Sequence, residues 1–371
     1  MRIPFFSFFA VAVIIFNASS PVSARFFRNI SSIPRFIIPN NSAWNHFNKY
    51  LGCHVGQKVE GLAKIKQYFQ HFGYINSLSK NFSDEFDDVL FSAVKTYQLN
   101  FNLNTTGEFD AVTLQHMIKP RCGNPDIVNG TTSMNSGNSP ANSPAMHTMA
   151  HFSFFEGRRR WPPSKTNLNY AFLPENQLTD SVKAAFGRAF DKWSEVTPLS
   201  FTETGSYRTA DIRIGFLVGD HGDGNPFDGP MKILAHAFSP PTGFFHLDGE
   251  ENWVVDGGFL KEPVLEISGV DLESVAVHEI GQLLGLDHSS KKEAIMFPTL
   301  GAGVRKVELS SDDIKGVHML YGSNPNNNGS STVFTPSQEN DISGASTFGS
   351  LVFVDYWILL GIALNFGVIL F

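Results

Sequence analysis

Apolar residues recur at three-to-four spacing in three segments near the start of the chain. Across 59–74, Leu62, Ile65, Tyr68, Phe69 and Phe72 share one helical face, and Gly73 closes the pattern. A second periodic segment runs from Phe86 to Phe101. A third, from Ala111 to Ile118, follows Gly107 and Asp110. Three short helices of this kind predict a small all-α, bundle-like unit over about 50–118. Periodicity is lost over 127–150, where Asn, Ser, Gly, Thr and Pro dominate, so this stretch predicts a linker. The pattern returns near Phe154. Leu168–Phe172 and Ala210–Val218 predict strands and Thr179–Val196 a helix. Loops rich in Gly and Pro continue through Gly258, followed by an apolar helix over about Asp271–Leu284. A last helix over about Ser311–Leu320 is opened by Ser310 and the acidic pair Asp312-Asp313. No internal repeat interrupts this order.

Both ends carry patterns of a different kind. Residues 1–24 combine Arg2, an apolar stretch from Phe5 to Phe16 and a small-residue site ending at Ala24, the layout of a cleaved export signal. The segment Leu351–Phe371 is apolar, with Asp355 its one charge, and lies beyond a spacer and the small residues Ser343, Gly344, Ala345 and Ser346. That arrangement predicts a GPI anchor attached at Ser343, with 323–343 as a polar spacer and 344–371 as the removed tail. The rival is a permanent span, which would normally carry Lys or Arg on its cytoplasmic flank. Sequons at Asn29, Asn40, Asn81, Asn104, Asn129 and Asn328 fit a glycoprotein on the outer face of the plasma membrane.

Composition narrows the classes further. With 42% hydrophobic and 17% charged residues over 371 positions, the chain can build real cores. A net charge of −7, with no basic run longer than Arg158-Arg159-Arg160, excludes nucleic-acid binding as the main task. There are two cysteines, Cys53 and Cys122, for which a disulfide is the plain expectation in an exported chain.

The chemistry concentrates in the segment from His278 to His288. His278-Glu279 opens a metalloprotease zinc helix, in which ligands four residues apart share one face and the Glu acts as general base. The Gly and the later His of the extended motif are present as Gly285 and His288, but the second His is replaced by Gln282. Met296 follows where a Met-turn would form an apolar floor under the metal. Upstream, His221, Asp223, His236 and His246 suit a closed structural zinc site. Asp228, Gly229, Asp248 and Glu251, interleaved with them, suit an oxygen shell for Ca²⁺.

Taken together, HGDGNPFDGP, LAHAFSPP, HLDGEENW, the zinc helix and AIMFPT resemble the matrix metalloproteinases of the metzincin clan, specifically their plant branch. The resemblance covers about 50–322, and no propeller-like hemopexin domain follows Gly322 in this sequence. It implies an α/β (α+β) metzincin domain over 151–322, with a five-stranded mixed sheet and three helices. It further implies catalytic and structural zinc, bound calcium, and protein or peptide substrates taken by a monomer. Met231 and Ile233 would add backbone carbonyls to the calcium shell, and Asp211 matches part of a further calcium site. The N-terminal unit resembles the family's peptidoglycan-binding-like propeptide within 25–150, and 120–126 resembles its cysteine switch. There Cys122 would ligate zinc in the latent form while Arg121 and Asp126 hold the loop, an alternative to the Cys53–Cys122 disulfide. Gln282, a poor zinc ligand, leaves two implications open: a secreted zymogen cutting matrix or cell-wall proteins with impaired activity, or a pseudoprotease that binds peptides at the cell surface.

Overall fold

The computed structural model describes residues 47–76, 81–132, 134, 151–230, 232–256 and 269–326. The export signal, most of the linker, the spacer, the apolar tail with Ser343, the sequons at Asn29, Asn40 and Asn328, and Met231 lie outside the described residues. Among the described residues no helix is long and apolar enough to cross a membrane. The sequons at Asn81, Asn104 and Asn129 are exposed.

The N-terminal unit consists of α1 (Leu62–His71), α2 (Asp88–Asn100) and α3 (Ala111–Met117). Asp87 and Asp110 cap α2 and α3 by accepting hydrogen bonds from the N–H groups of Leu90 and Thr113. The periodicity predicts a start near Val59 for the first helix, yet α1 begins at Leu62. Asp84 Oδ1 accepts from the N–H groups of Gly61 and Ala63 at 3.0 and 2.9 Å, so a distant carboxylate sets that terminus. The three apolar faces enclose an aromatic core in which Phe69 meets Tyr97 edge-on at 5.6 Å and stacks on Phe109 at 6.5 Å. Cys53 is buried in this core and Cys122 lies elsewhere; both are free thiols, so the disulfide alternative is not formed.

Beyond it come β1 (Arg121–Cys122), β2 (Ser153–Phe154), β3 (Asn167–Phe172), α4 (Asp180–Val196), β4 (Ser200–Glu203), β5 (Ile212–Leu217), β6 (Ile233–Ala237) and β7 (Phe244–Asp248). The main sheet has the order β1-β6-β7-β5-β3-β4 and is parallel except for the antiparallel pair β6–β7. Five of its strands are those implied by the resemblance. The sixth, β1, belongs to the switch segment: β6 would otherwise be a sheet edge, whose unpaired backbone groups recruit an extended chain. Short pairs β8 (Trp253–Val254) with β9 (Val270–Asp271), and β10 (Leu286–Asp287) with β2, brace the helix that follows.

One face of α4 buries Val182, Ala185, Phe186, Ala189, Phe190 and Trp193. Phe190 stacks on Tyr170 of β3 at 4.3 Å, and Phe186 meets Phe245 of β7 at 5.7 Å. Every residue of α5 (Leu272–Leu283) is buried, so its polar residues point into protein rather than water. Trp193 Nε1 donates to the carbonyl of Val277 at 2.9 Å, tying α4 to α5. Gly285, at φ +103°, turns the chain off α5; a Cβ there would lie 2.1 Å from the Arg159 carbonyl oxygen. In α6 (Ser311–Tyr321) Ser310 and Asp313 form a capping box. Asp313 also accepts from the N–H groups of Ile295 and Met296 at 2.9 and 3.1 Å, so the cap of α6 fixes the Met296 turn.

Gly281 lets Met296 and Trp193 approach α5: a Cβ would lie 2.4 Å from Met296 Sδ and 2.8 Å from the Trp193 ring. Gly281→Ala is expected to destabilise the chain by about 1–3 kcal/mol through overpacking, measured as a lowered denaturant midpoint. An unchanged midpoint would show that the contact relaxes freely.

Candidate active site

The switch segment lies between β6 and the loop 298–300 as an extended chain. Arg121 N–H donates to the Lys232 carbonyl at 2.8 Å and Gly123 N–H to that of Ala235 at 2.8 Å. On the other side Cys122 N–H donates to the Pro298 carbonyl at 2.9 Å, and Leu300 N–H to that of Pro120 at 3.0 Å. The cleft therefore holds a peptide by its backbone on both edges. A cavity beside it, next to His278 and Glu279, is lined by Leu234, Ser274, Val275, Ile295, Phe297 and Leu300.

A buried ion pair anchors the segment. Arg121 Nη2 lies 2.6 Å from Asp126 Oδ1, with side-chain exposures of 2% and 0%. The guanidinium also stacks over Phe72 at 3.6 Å. Asp126 Oδ1 meets His288 Nδ1 at 3.0 Å, and Tyr74 donates to Asp126 Oδ2 at 2.8 Å. Burial alone would raise the Asp126 carboxyl, but the Arg121 charge and the His288 contact hold it well below the carboxylate range. One propeptide carboxylate thus serves both the latch and an imidazole of the zinc motif.

The motif residues converge at the floor of the cleft. Ligand atoms of Cys122, His278 and His288 lie within 4.8 Å of one another. His278 Nδ1 faces the Ile295 carbonyl at 2.8 Å, which places its proton there and leaves Nε2 as the acceptor. Burial lowers the His278 pKa to about 3, so the ring is neutral. Gln282, one helical turn beyond His278, faces the same group. Its Nε2 lies 3.4 Å from His278 Nε2, 3.2 Å from His288 Nε2 and 3.3 Å from Cys122 Sγ. Both carboxylate oxygens of Glu279 are buried with no partner beyond the Cys122 thiol, and burial pushes its pKa up to about 8. Burial, together with the Glu279 charge, likewise raises the Cys122 thiol well above its ordinary value. Met296 is fully buried beneath this group, against Gly281.

These donors fit zinc in part. Two imidazoles that turn Nε2 inward and a buried carboxylate beside them suit a catalytic centre. As oriented, the Gln282 amide presents N–H rather than oxygen, and an amide nitrogen is not a zinc ligand.

The second cluster has a different character. Asp223 Oδ2 lies 2.8 Å from each of His221 Nε2, His236 Nε2 and His246 Nδ1. Three ring nitrogens converging on one carboxylate oxygen exceed what hydrogen bonds satisfy, and His221 Nε2 makes none. Burial lowers the His236 pKa to about 4 and that of His246 below its usual range, keeping the rings neutral as a metal requires. The four donors fit a structural zinc, one oxygen and three nitrogens in a closed set.

The residues expected to hold calcium differ in their surroundings. Asp248 Oδ2 is buried without a hydrogen-bond partner, and burial with the charges of Glu250 and Asp228 raises its carboxyl to about 6. A divalent cation would relieve that cost, which fits Ca²⁺. Glu251 is buried nearby in sequence, while Asp228 Oδ1 accepts from the Ile233 N–H at 3.1 Å and Gly229 sits at φ +81°. Asp211 is already engaged: Lys165 pairs with its Oδ1, and its Oδ2 accepts from the Asn169 N–H at 2.9 Å.

Three contributors escaped the sequence reading. Asn124 stands in the switch string, but nothing in the string says that it reaches Gln282. Tyr74 follows a helix-ending Gly, and Asp313 reads only as a cap. Each acts through a contact distant along the chain, and spacing carries no signal for such contacts.

A mixed sheet, a zinc-motif helix over a Met turn and a peptide-holding edge strand define a metzincin-like protease. Comparison with known proteins agrees. The Matrixin family model matches residues 160–322, and the model of a putative peptidoglycan binding domain matches 58–117. The chain is 52% identical over 338 residues to Metalloendoproteinase 5-MMP of Arabidopsis thaliana, covering 90% of this chain and 91% of that protein. It is 49% identical to Metalloendoproteinase 1 of Glycine max, covering 75% and 87%, and 32% identical to Stromelysin-1 of Mus musculus, covering 71% and 49%. The chain belongs to the matrixin family of zinc metalloendopeptidases, with a peptidoglycan-binding-like unit ahead of the catalytic domain.

Asp126→Ala is expected to weaken docking of the switch segment by about 3–5 kcal/mol, because it strands the buried Arg121 charge. Limited proteolysis of 120–126 should then accelerate, and unchanged protection would refute the role. Removing divalent metal with a chelator, or substituting His246→Ala, is expected to lower stability by about 3–4 kcal/mol relative to protein in zinc several hundred-fold above its Kd. Calorimetric Tm with and without zinc measures this.

Proposed function

We propose that this chain is an exported, zymogen-type metalloendopeptidase of extracellular matrix or cell-wall proteins, held at the cell surface by a GPI anchor at Ser343. The observation that carries the peptidase reading is the propeptide strand itself, an extended peptide held by its backbone beside Glu279. The same edges would hold a substrate strand once the propeptide leaves, and the cavity lined by Leu234, Val275 and Leu300 would receive one of its side chains. His278 and His288 would hold zinc, with Gln282 contributing only if its amide oxygen turns inward. Zinc held there supplies the Lewis acidity that makes a water nucleophilic at neutral pH. Glu279, buried at the floor of the cleft next to His278, would take the proton of the attacking water and pass it to the leaving amine. Cys122 and Arg121, lying across the cleft, block that geometry in the latent chain.

Gln282 favours a second reading, in which the cleft binds peptides at the surface without cutting them. The two separate on one experiment. After proteolytic removal of the propeptide, wild type is expected to cleave a quenched peptide slowly and in a chelator-sensitive manner. Gln282→His is expected to raise kcat/KM by at least about 100-fold, since losses outside the ligand shell already cost about 10–100-fold. No wild-type cleavage, with strong cleavage by Gln282→His, would favour the binding module; no cleavage by either would sink the peptidase reading.

A further inference from the structure

The orientation of the Gln282 amide follows from two fixed points. Asn124 Nδ2 donates to the backbone carbonyl of Ala237 at 2.9 Å. A carbonyl only accepts, so Asn124 must present its NH2 group on that side. The same Nδ2 lies 2.7 Å from Gln282 Oε1, so the Gln282 oxygen is drawn toward Asn124 and its NH2 is turned toward the histidines. From the other direction, the Ile295 carbonyl and the Asp126 carboxylate each take the Nδ1 proton of an imidazole. His278 therefore turns Nε2 inward, as does His288, and the amide NH2 lies 3.4 and 3.2 Å from these two nitrogens. The amide NH2, with two hydrogens, thus faces both imidazoles and the Cys122 sulfur with the polarity of a donor.

Donor atoms around one tetrahedral zinc with bonds of about 2.0–2.1 Å stand about 3.3 Å apart. Gln282 Nε2 keeps that spacing from both imidazoles, but with the polarity of a donor rather than a ligand.

We propose that the propeptide keeps zinc out of the catalytic position. Asn124 turns the Gln282 amide so that its NH2 bridges His278 and His288 in the latent chain. Departure of the propeptide removes Asn124, frees the amide to rotate, and lets its oxygen face the two imidazoles. Asn124 is then a positioning residue, acting on the metal site through Gln282. Cys122 covers the site as a thiol instead of closing it as a ligand. This inference rests on the zymogen reading only in taking Pro120–Asp126 as a latch that is later removed.

Cobalt substitution of the full-length chain tests it, because a thiolate bound to Co²⁺ gives a charge-transfer band. Cys53 is buried in the aromatic core of the N-terminal unit, so that band reports Cys122. Wild type is expected to show no band. Asn124→Asp places a carboxyl oxygen where it accepts from the Gln282 NH2; the amide then turns its oxygen to the imidazoles, and the band is expected with one additional metal equivalent. Gln282→His is expected to show both. A band in wild type would overturn the proposal, even if Asn124→Asp fails to fold. A band in Gln282→His but not in folded Asn124→Asp would overturn the role of Asn124. Absence from all three would show that the amide is not what excludes metal. Peptide cleavage by the processed protein is a separate readout, so the peptidase reading can fail without touching this one.

Discussion

Burying a polar helix is the constraint on which the rest of this molecule depends. All of α5 is inside the protein, yet it carries Glu273, His278, Glu279 and Gln282. Each such group costs several kcal/mol if left unpaired in an apolar setting, so its partners must come from other elements. Arg188 and Arg305 reach Glu273, the Ile295 carbonyl fixes His278, and the propeptide supplies Asn124 to Gln282. Glu279, at the floor of the cleft, has no partner of its own beyond the Cys122 thiol brought by the switch segment. The helix is thus least satisfied where chemistry is expected.

The same constraint explains why the latch is so polar. An apolar plug would cover the cleft, but it would leave the buried amide and imidazoles of the site without partners. The segment Arg121–Asp126 instead brings a backbone strand for the sheet edge, a carboxylate for His288 and an amide for Gln282. Its own charges cancel within the buried Arg121–Asp126 pair, which Tyr74 and Phe72 enclose. Filling of the cleft by this segment is then a matter of matched polarity as well as shape. The two metal-type clusters differ accordingly. The set around Asp223 converges on a single point with no role for the propeptide, whereas the set at His278 includes a propeptide thiol.

Much of this was legible along the chain. The helices at 62–71, 88–100, 180–196 and 311–321 follow from apolar spacing and side-chain caps, local features that a sequence displays directly. The motif from His278 to His288 and the four donors around Asp223 were readable because ligand chemistry demands particular residue types. The strand at Arg121–Cys122 was not, since its strand character comes from the open edge of β6 rather than from its own two residues. Nor was the engagement of Asp211 by Lys165, a pairing between residues far apart in sequence.

The family, the helix that carries the site and the glutamine at position 282 are all readable from the residues alone. Those are properties of residue type and spacing, which no packing can alter. What Gln282 does while the switch segment lies in the cleft depends on tertiary contacts. The direction of an amide is set by which neighbours donate and which accept, and for Gln282 those neighbours are Asn124, Cys122, His278 and His288. Two of the four lie some 160 residues away along the chain and meet it only because β6 holds the propeptide strand at its edge.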